Sequence, residues 1–401
     1  MTQAAGQAPS TSVGSRQRTW VLASFSALVV ASQVLWLSFA SITDKTADRL
    51  GVSEGAVGDL AVINAAMFVV LAIPAGRWMD RHYGRTLAAG ALFTAAGALI
   101  RFADPGSFGW ICVGQVVMSV GQPLILNGLT KIAARYFPPG QRTTAISVGS
   151  ASQFVGILIA VLTGAPLYDA GGLSLVLGVD AAIAVVAAVA VLVSLRVPPA
   201  YEVEVHEPES MAWLRGDRTM WWLAALLFVG FGSYNALATW LDSIMVDFGH
   251  KDVAGAIIAI MTLAGVAGAA VLPGIAAARD ARRAVALTTT VLLAAALVAI
   301  ALVHTVVAVG VLLAVLGVFL LGTLPVALDW SELHVGGRRA GTATGVLLLA
   351  GNLGGVVVVL TVQAVIGHPT AALLVMAAWA VPGFLIAMRL PRTVTPVVEA
   401  A

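Results

Sequence analysis

The feature that most constrains this chain is a recurrence of apolar runs, each long enough to cross a bilayer as a helix. A spanning helix needs roughly 20 apolar residues. Such runs fall near 20–42, 56–76, 86–103, 109–131, 142–164 and 172–195. After a polar stretch they resume near 219–243, 254–276, 283–304, 306–328, 341–366 and 370–389. The division between the ninth and tenth, at His304–Thr305, is forced by length alone, because no polar turn precedes the run that follows. The reading is an all-α membrane protein of twelve transmembrane helices.

Composition agrees on the solvent. Of 401 residues, 59% are hydrophobic and 10% charged, against roughly 25% charged in soluble domains. A net charge of +2 is too small to suggest a nucleic-acid partner, and no run of like charges forms a binding stripe. Cys112 is the single cysteine, so an intramolecular disulfide and a multi-thiolate metal site are both excluded, and Cys112 reads as a small packed side chain. No cofactor or metal is implied. All but three of the 22 basic residues are Arg, and Ala, Gly and Val abound. That bias points to a GC-rich bacterial genome and a plasma membrane.

Charge also orients the chain. With the N-terminus cytoplasmic, eighteen Lys and Arg residues fall on inner segments and four (Lys45, Arg49, Arg101 and Lys251) on outer ones, as the positive-inside rule requires. Losing one span would invert every later loop, so the asymmetry also supports the helix count. Both termini are then cytoplasmic. Residues 1–18 read as a disordered tail, since the run after them is too long for a signal-peptide core and ends in no cleavage site. The polar stretch 197–218, with Pro198, Pro199, Glu202, Glu204, Glu207 and Glu209, separates six spans over 19–196 from six over 219–390, and 391–401 form a second tail. Weak repetition links these pseudo-symmetric six-helix halves: Gln153-Phe154-Val155-Gly156 in span 5 answers Asn352-Leu353-Gly354-Gly355 in span 11.

The loop after span 2 reads Gly76-Arg77-Trp78-Met79-Asp80-Arg81-His82-Tyr83-Gly84-Arg85. This resembles the signature of the major facilitator superfamily: glycine, Asp-Arg, glycine, then a basic residue. Gly76 permits close helix approach, and Gly84 is expected in a tight turn at positive φ. Asp80 can sit against a helix N-terminus or a nearby Arg, contacts worth roughly 0.3–2 kcal/mol. Contacts of that size can bias an inward/outward equilibrium without locking it. Gly76, Asp80, Arg81, Gly84 and Arg85 are therefore the gating candidates. The second-half copy, Gly274 with Asp280, Arg282 and Arg283, is degraded, its Asp falling two residues late.

Spans 4 and 5 carry a narrower likeness: Gly114-Gln115, Gln122-Pro123, Asn127, Phe137-Pro138, Arg142-Thr143-Thr144-Ala145 and Gln153. With Trp36, Tyr234 and Leu324-Pro325, this pattern resembles the feline leukaemia virus subgroup C receptor family, transporters associated with choline, ethanolamine and haem. The resemblance implies a site lined by an aromatic pair from spans 1 and 7 and an amide pair from spans 5 and 11. Here these are Trp36, Tyr234, Gln153 and Asn352, the last an Asn where the family tends to have Gln. The residue types suit that role. An amide facing lipid would leave its hydrogen bonds unmet, and an aromatic face attracts a desolvated ammonium by about 2 kcal/mol. Packing or interfacial anchoring is the competing reading for the aromatics; for polar residues such as Gln33, Gln115, Gln122, Asn127 and Asn235 it is interhelical hydrogen bonding.

Membrane-embedded acids are the remaining candidates. Asp180 lies eight residues into span 6, and Asp329 and Glu332 end span 10 within sequence reach of Arg338 and Arg339. Asp329 and Glu332 read as gate ion pairs, Asp180 as a structural hydrogen bond. No proton relay emerges, which favours facilitated diffusion. The expected activity is movement of a small organic solute, a choline-like amine or zwitterion, by alternating access in a monomer embedded in lipid. The alternative is a proton-coupled exporter of a drug or secondary metabolite. A membrane enzyme would need an acid, His or Ser cluster at a membrane face, and the short loops hold none.

Overall fold

The computed structural model describes residues 14–201, 211–251, 253–365 and 367–393. Among them every regular element is helical: α1 (Ser15–Leu37), α2 (Thr43–Leu50), α3 (Glu54–Arg81), α4 (Tyr83–Ala103), α5 (Phe108–Leu126), α6 (Gly128–Tyr136) and α7 (Pro139–Ser194), then α8 (Ala212–Gly216), α9 (Arg218–Asp247), α10 (Ala254–Ala278), α11 (Arg282–Leu302), α12 (Val306–Val335), α13 (Ala340–Gln363) and α14 (Pro369–Arg389). Eleven of these are long and apolar enough to cross a membrane. One of them, α7, is two spans. Its 56 residues would measure ~84 Å as a straight helix, nearly three times the hydrocarbon thickness. The chain reverses at Gly171-Gly172, where Gly172 takes φ +66°, a conformation that strains any residue with a Cβ. Twelve spans result, in two six-helix halves.

Local chemistry sets the ends. The Ser53 and Ser107 hydroxyls accept from the first-turn amides of α3 and α5, and the Asp217 carboxylate does so for α9. The division expected at His304–Thr305 falls where α11 stops at Leu302 and α12 starts at Val306. Span 4 is broken at Asn127 into α5 and α6, four residues after Pro123, and runs to Tyr136 rather than 131.

The margins of the spans carry further structure. The tail assigned to 1–18 gives way to helix at Ser15, since α1 continues past its apolar run into the polar residues around Arg16 and Arg18; residues 1–13 lie outside the described residues. The segment 197–218 contains α8, and the backbone amides of Ala200 and Tyr201 both donate to the carbonyl of Arg135; residues 202–210 lie outside the described residues, as do 394–401 of the second tail. The connection after span 1 holds the short helix α2, whose Lys45 pairs with Asp169 at the far end of span 5. That hydrogen bond raises the Lys45 pKa above its ordinary value.

The halves repeat their packing. A Cβ on Gly156 would lie 2.7 Å from the Cβ of Gln33, so span 5 lies backbone-close against α1. In the second half a Cβ on Gly232 would lie 2.7 Å from the carbonyl oxygen of Gly354, so α9 lies backbone-close against α13. Small residues at such seams let backbones approach where lipid supplies no hydrophobic drive.

Candidate functional site

At the Arg-rich end of the bundle the halves are laced together. Asp80, in the last turn of α3, points at the N-terminus of α13 and accepts from the amides of Gly341 and Thr342, both at 2.8 Å, and from the Thr342 hydroxyl at 2.6 Å. A carboxylate at a helix N-terminus meets unpaired N–H groups and the positive end of the helix dipole. The cation beside it is Lys131 of α6, 3.1 Å away, in place of the Arg the sequence suggested. Lys131 is fully buried and also donates to the carbonyls of Gly337 and Arg338. Gly76 makes this seam possible, because a Cβ there would lie 2.7 Å from the carbonyl oxygen of Gly341.

Gly84 departs from expectation. It lies inside α4 without positive φ, and the turn is made by His82 at φ −135° and ψ 54°. Arg81 is half-buried and Arg85 exposed, and neither forms an ion pair among the described residues. Asp280 pairs locally with Arg282 at 3.5 Å.

Asp329 and Glu332 join the same closure through partners other than those nearest in sequence. Glu332 pairs with Arg142 at 2.9 Å, and Asp329 with Arg282 at 2.7 Å while accepting from the Thr143 hydroxyl. Arg142 and Thr143 belong to span 5, so both acids reach across to the first half. Among the described residues, no side-chain hydrogen bond joins the halves at the opposite end. The bundle is closed at its Arg-rich end.

Deeper in the bundle, a pocket opens between the halves. It is a narrow cavity of about 20 Å³, lined by Phe154 of span 5, by Phe231 and Tyr234 of α9 and by Leu320 and Thr323 of α12, with no charged residue. The Tyr234 hydroxyl shares a hydrogen bond with the Thr262 hydroxyl at 3.2 Å, which fixes the ring. Of the four residues singled out for substrate, Tyr234 lines this pocket. Gln153 precedes Phe154; it is buried, and its amide nitrogen has no partner. Asn352 follows Gly351, whose Cα packs behind the Phe231 ring, but its amide turns back onto the carbonyl of Leu348 in its own helix. Trp36 stands apart. Its indole N–H donates to the Ala61 carbonyl of α3 at 3.1 Å, and its ring packs against a cluster containing Leu35, Ala98, Met118 and Ala184. A search for cation-binding aromatics confined to Trp and Tyr leaves out Phe154 and Phe231, which line this cavity. Phe154 was nonetheless inside the repeated Gln153–Gly156 segment.

Beside Trp36 lies a buried ion pair. Asp180 of span 6 meets Arg101 of α4 at 3.1 Å and accepts from the Ser38 hydroxyl. Arg101 is fully buried, donates to the Leu35 carbonyl and to Gln115, and stacks over Phe39. Arg101 keeps the outer end of span 3 that charge counting gave it, in the last turn of α4, and its side chain turns inward into the first half. A lone deep carboxylate needs a counter-charge, and that need was the available signal.

A two-half, twelve-helix bundle with a pocket on the seam and charged closure at one end defines the fold of an alternating-access membrane transporter. Residues 19–359 match the Major Facilitator Superfamily, and the chain belongs to it. It is 27% identical over 277 residues to zebrafish (Danio rerio) solute carrier family 49 member A3, covering 64% of this chain and 58% of that protein. It is 30% identical over 152 residues to the rat (Rattus norvegicus) choline/ethanolamine transporter FLVCR2, covering 37% of this chain and 28% of that one. The chain thus matches little more than half the length of the first relative and under a third of the second. Among solved structures, an outward-facing bacterial homologue of the iron transporter ferroportin superposes with a TM-score of 0.75 at 13% identity, covering 93% of this chain and 99% of that one. That likeness is one of fold.

Proposed function

We propose that this protein is a secondary transporter that moves a small organic cation or zwitterion, choline-like or ethanolamine-like, by alternating access. The observation that carries the reading is the uncharged aromatic lining of the seam cavity, Phe154, Phe231 and Tyr234, which widens to admit the solute. A desolvated ammonium gains about 2 kcal/mol against such a face, and a neutral lining can release its cargo without breaking an ion pair. Gln153 supplies an amide nitrogen free to meet an oxygen of the solute. Trp36 and Asn352 complete the site after movement, since each side chain is now held by one backbone carbonyl. The name of the rat relative supports the substrate class.

The Arg-rich end is cytoplasmic, both termini face the cytoplasm, and the protein works as a monomer in the plasma membrane. Closure by Asp80, Lys131, Arg142 and Glu332 then makes this conformation outward-facing.

Thermal unfolding of the purified protein in detergent tests the reading, with choline, ethanolamine, betaine, haem and several lipophilic drugs as ligands. Binding raises the melting temperature by mass action. Stabilisation by the amines that Tyr234→Ala removes supports the proposal. Stabilisation by bulky drugs alone, surviving that substitution, overturns it in favour of a proton-coupled exporter.

A further inference from the structure

A second cleft opens at the Arg-rich end, on the outer face of the second half and away from the seam. It lies between the start of α9 and the end of α14, lined by Arg218, Trp221, Trp222 and Arg389 with Thr219 and Pro391. Two arginines share one cleft, and neither forms an ion pair with an acidic residue among the described residues. The Arg389 guanidinium lies over the Trp222 ring, 5.1 Å from its centre. A guanidinium held over a ring keeps N–H groups available at its edge, the donors that grip a phosphate. Trp221 is half exposed and turns its indole N–H inward to the Leu214 carbonyl, so its ring is presented outward as an apolar surface. One residue before Arg389, the Met388 carbonyl accepts from Arg283, adding a third positive charge to the rim.

The geometry points to a binding site for the headgroup of an anionic phospholipid, its phosphate held by Arg218 and Arg389 and its acyl chains running along Trp221 into the bilayer. Tryptophan and arginine meet where headgroup gives way to hydrocarbon, and basic clefts between spanning helices take anionic headgroups. Free phosphate lacks the chains that Trp221 would cover, so the site distinguishes lipid from the inorganic ion. The site is independent of the substrate proposed above.

Native mass spectrometry of the detergent-solubilised protein tests it, with phosphatidylglycerol, phosphatidylcholine and inorganic phosphate offered in turn. The wild-type protein should retain phosphatidylglycerol in preference to phosphatidylcholine and take up no phosphate. Each arginine contributes about fivefold near a membrane surface, so R218Q/R389Q should weaken that retention by roughly thirtyfold. R218Q alone, at an exposed position, should give part of the loss in a normally folded protein. R16Q removes an exposed charge from the same end of the bundle and should change nothing. Equal retention of both lipids, equal losses in R16Q and R218Q, or uptake of phosphate alone would each overturn the assignment.

Discussion

Arg101 and Asp180 form an ion pair at 3.1 Å with side chains 0% and 5% exposed, and through the Leu35 carbonyl and the Ser38 hydroxyl they grip the last turn of α1. Removing one charge strands the other in a low-dielectric interior, at a cost of about 3–5 kcal/mol, whereas replacing both by apolar groups can be nearly neutral. Arg101→Leu and Asp180→Leu should each sharply lower the yield and melting temperature of monodisperse protein. The double variant should lie well above the sum of the two losses. Additive losses would mean that the two side chains act independently.

Asp80→Asn keeps the shape and removes the charge facing the α13 N-terminus and Lys131. The lost helix-terminus attraction, about 1–2 kcal/mol in a partly buried setting, should shift the population toward the open Arg-rich end by roughly five- to thirtyfold. Spin-label distances between the Arg-rich ends of α3 and α13, in a Cys112→Ser background, read that shift directly. An unchanged distance distribution would deny Asp80 a part in closure.

Gly76→Leu tests the same seam by volume. With a Cβ already 2.7 Å from the Gly341 carbonyl oxygen, the larger side chain cannot fit unless α3 and α13 part. The same labels should report the open arrangement as the major one, and ligand uptake from the closed-end conformation should fall. A wild-type distance distribution would show that the helices accommodate the side chain without opening.

Gln153→Leu should separate stability from function. The buried amide nitrogen has no partner, and an unsatisfied buried polar group costs about 1–3 kcal/mol. The variant should melt at or above the wild-type temperature while losing amine-induced stabilisation. A lower melting temperature with ligand response intact would assign Gln153 to packing.

Much of the fold was legible because lipid imposes one rule on every span. Spanning length, the Arg asymmetry and the glycine-aspartate loop are local properties, readable from neighbouring residues. The turn at Gly171-Gly172 and the break after Leu302 follow from length, since a helix cannot exceed the hydrocarbon severalfold. Where local reading was pressed further it misassigned residues. Gly84 was given a turn that His82 makes, and the burial of Arg101 at the outer end of its span could not be read from charge counting.

The sequence by itself determined the helices, their number and which end of the bundle gathers positive charge. Tertiary structure decided whom each charge meets. Asp80 and Thr342 stand 262 positions apart, Arg142 and Glu332 190, Arg101 and Asp180 79. The physical reason is that a charge in a low-dielectric interior must be paired wherever a partner can reach it. Which helix brings that partner depends on backbone approach at small residues such as Gly76, Gly156 and Gly232. Nothing local to Asp329 or Glu332 marks Arg282 and Arg142 over Arg338 and Arg339; the packing of span 5 and α11 against α12 does. The same packing selected Phe154 and Phe231 to line the pocket with Tyr234 and left Trp36 bound to the backbone of α3.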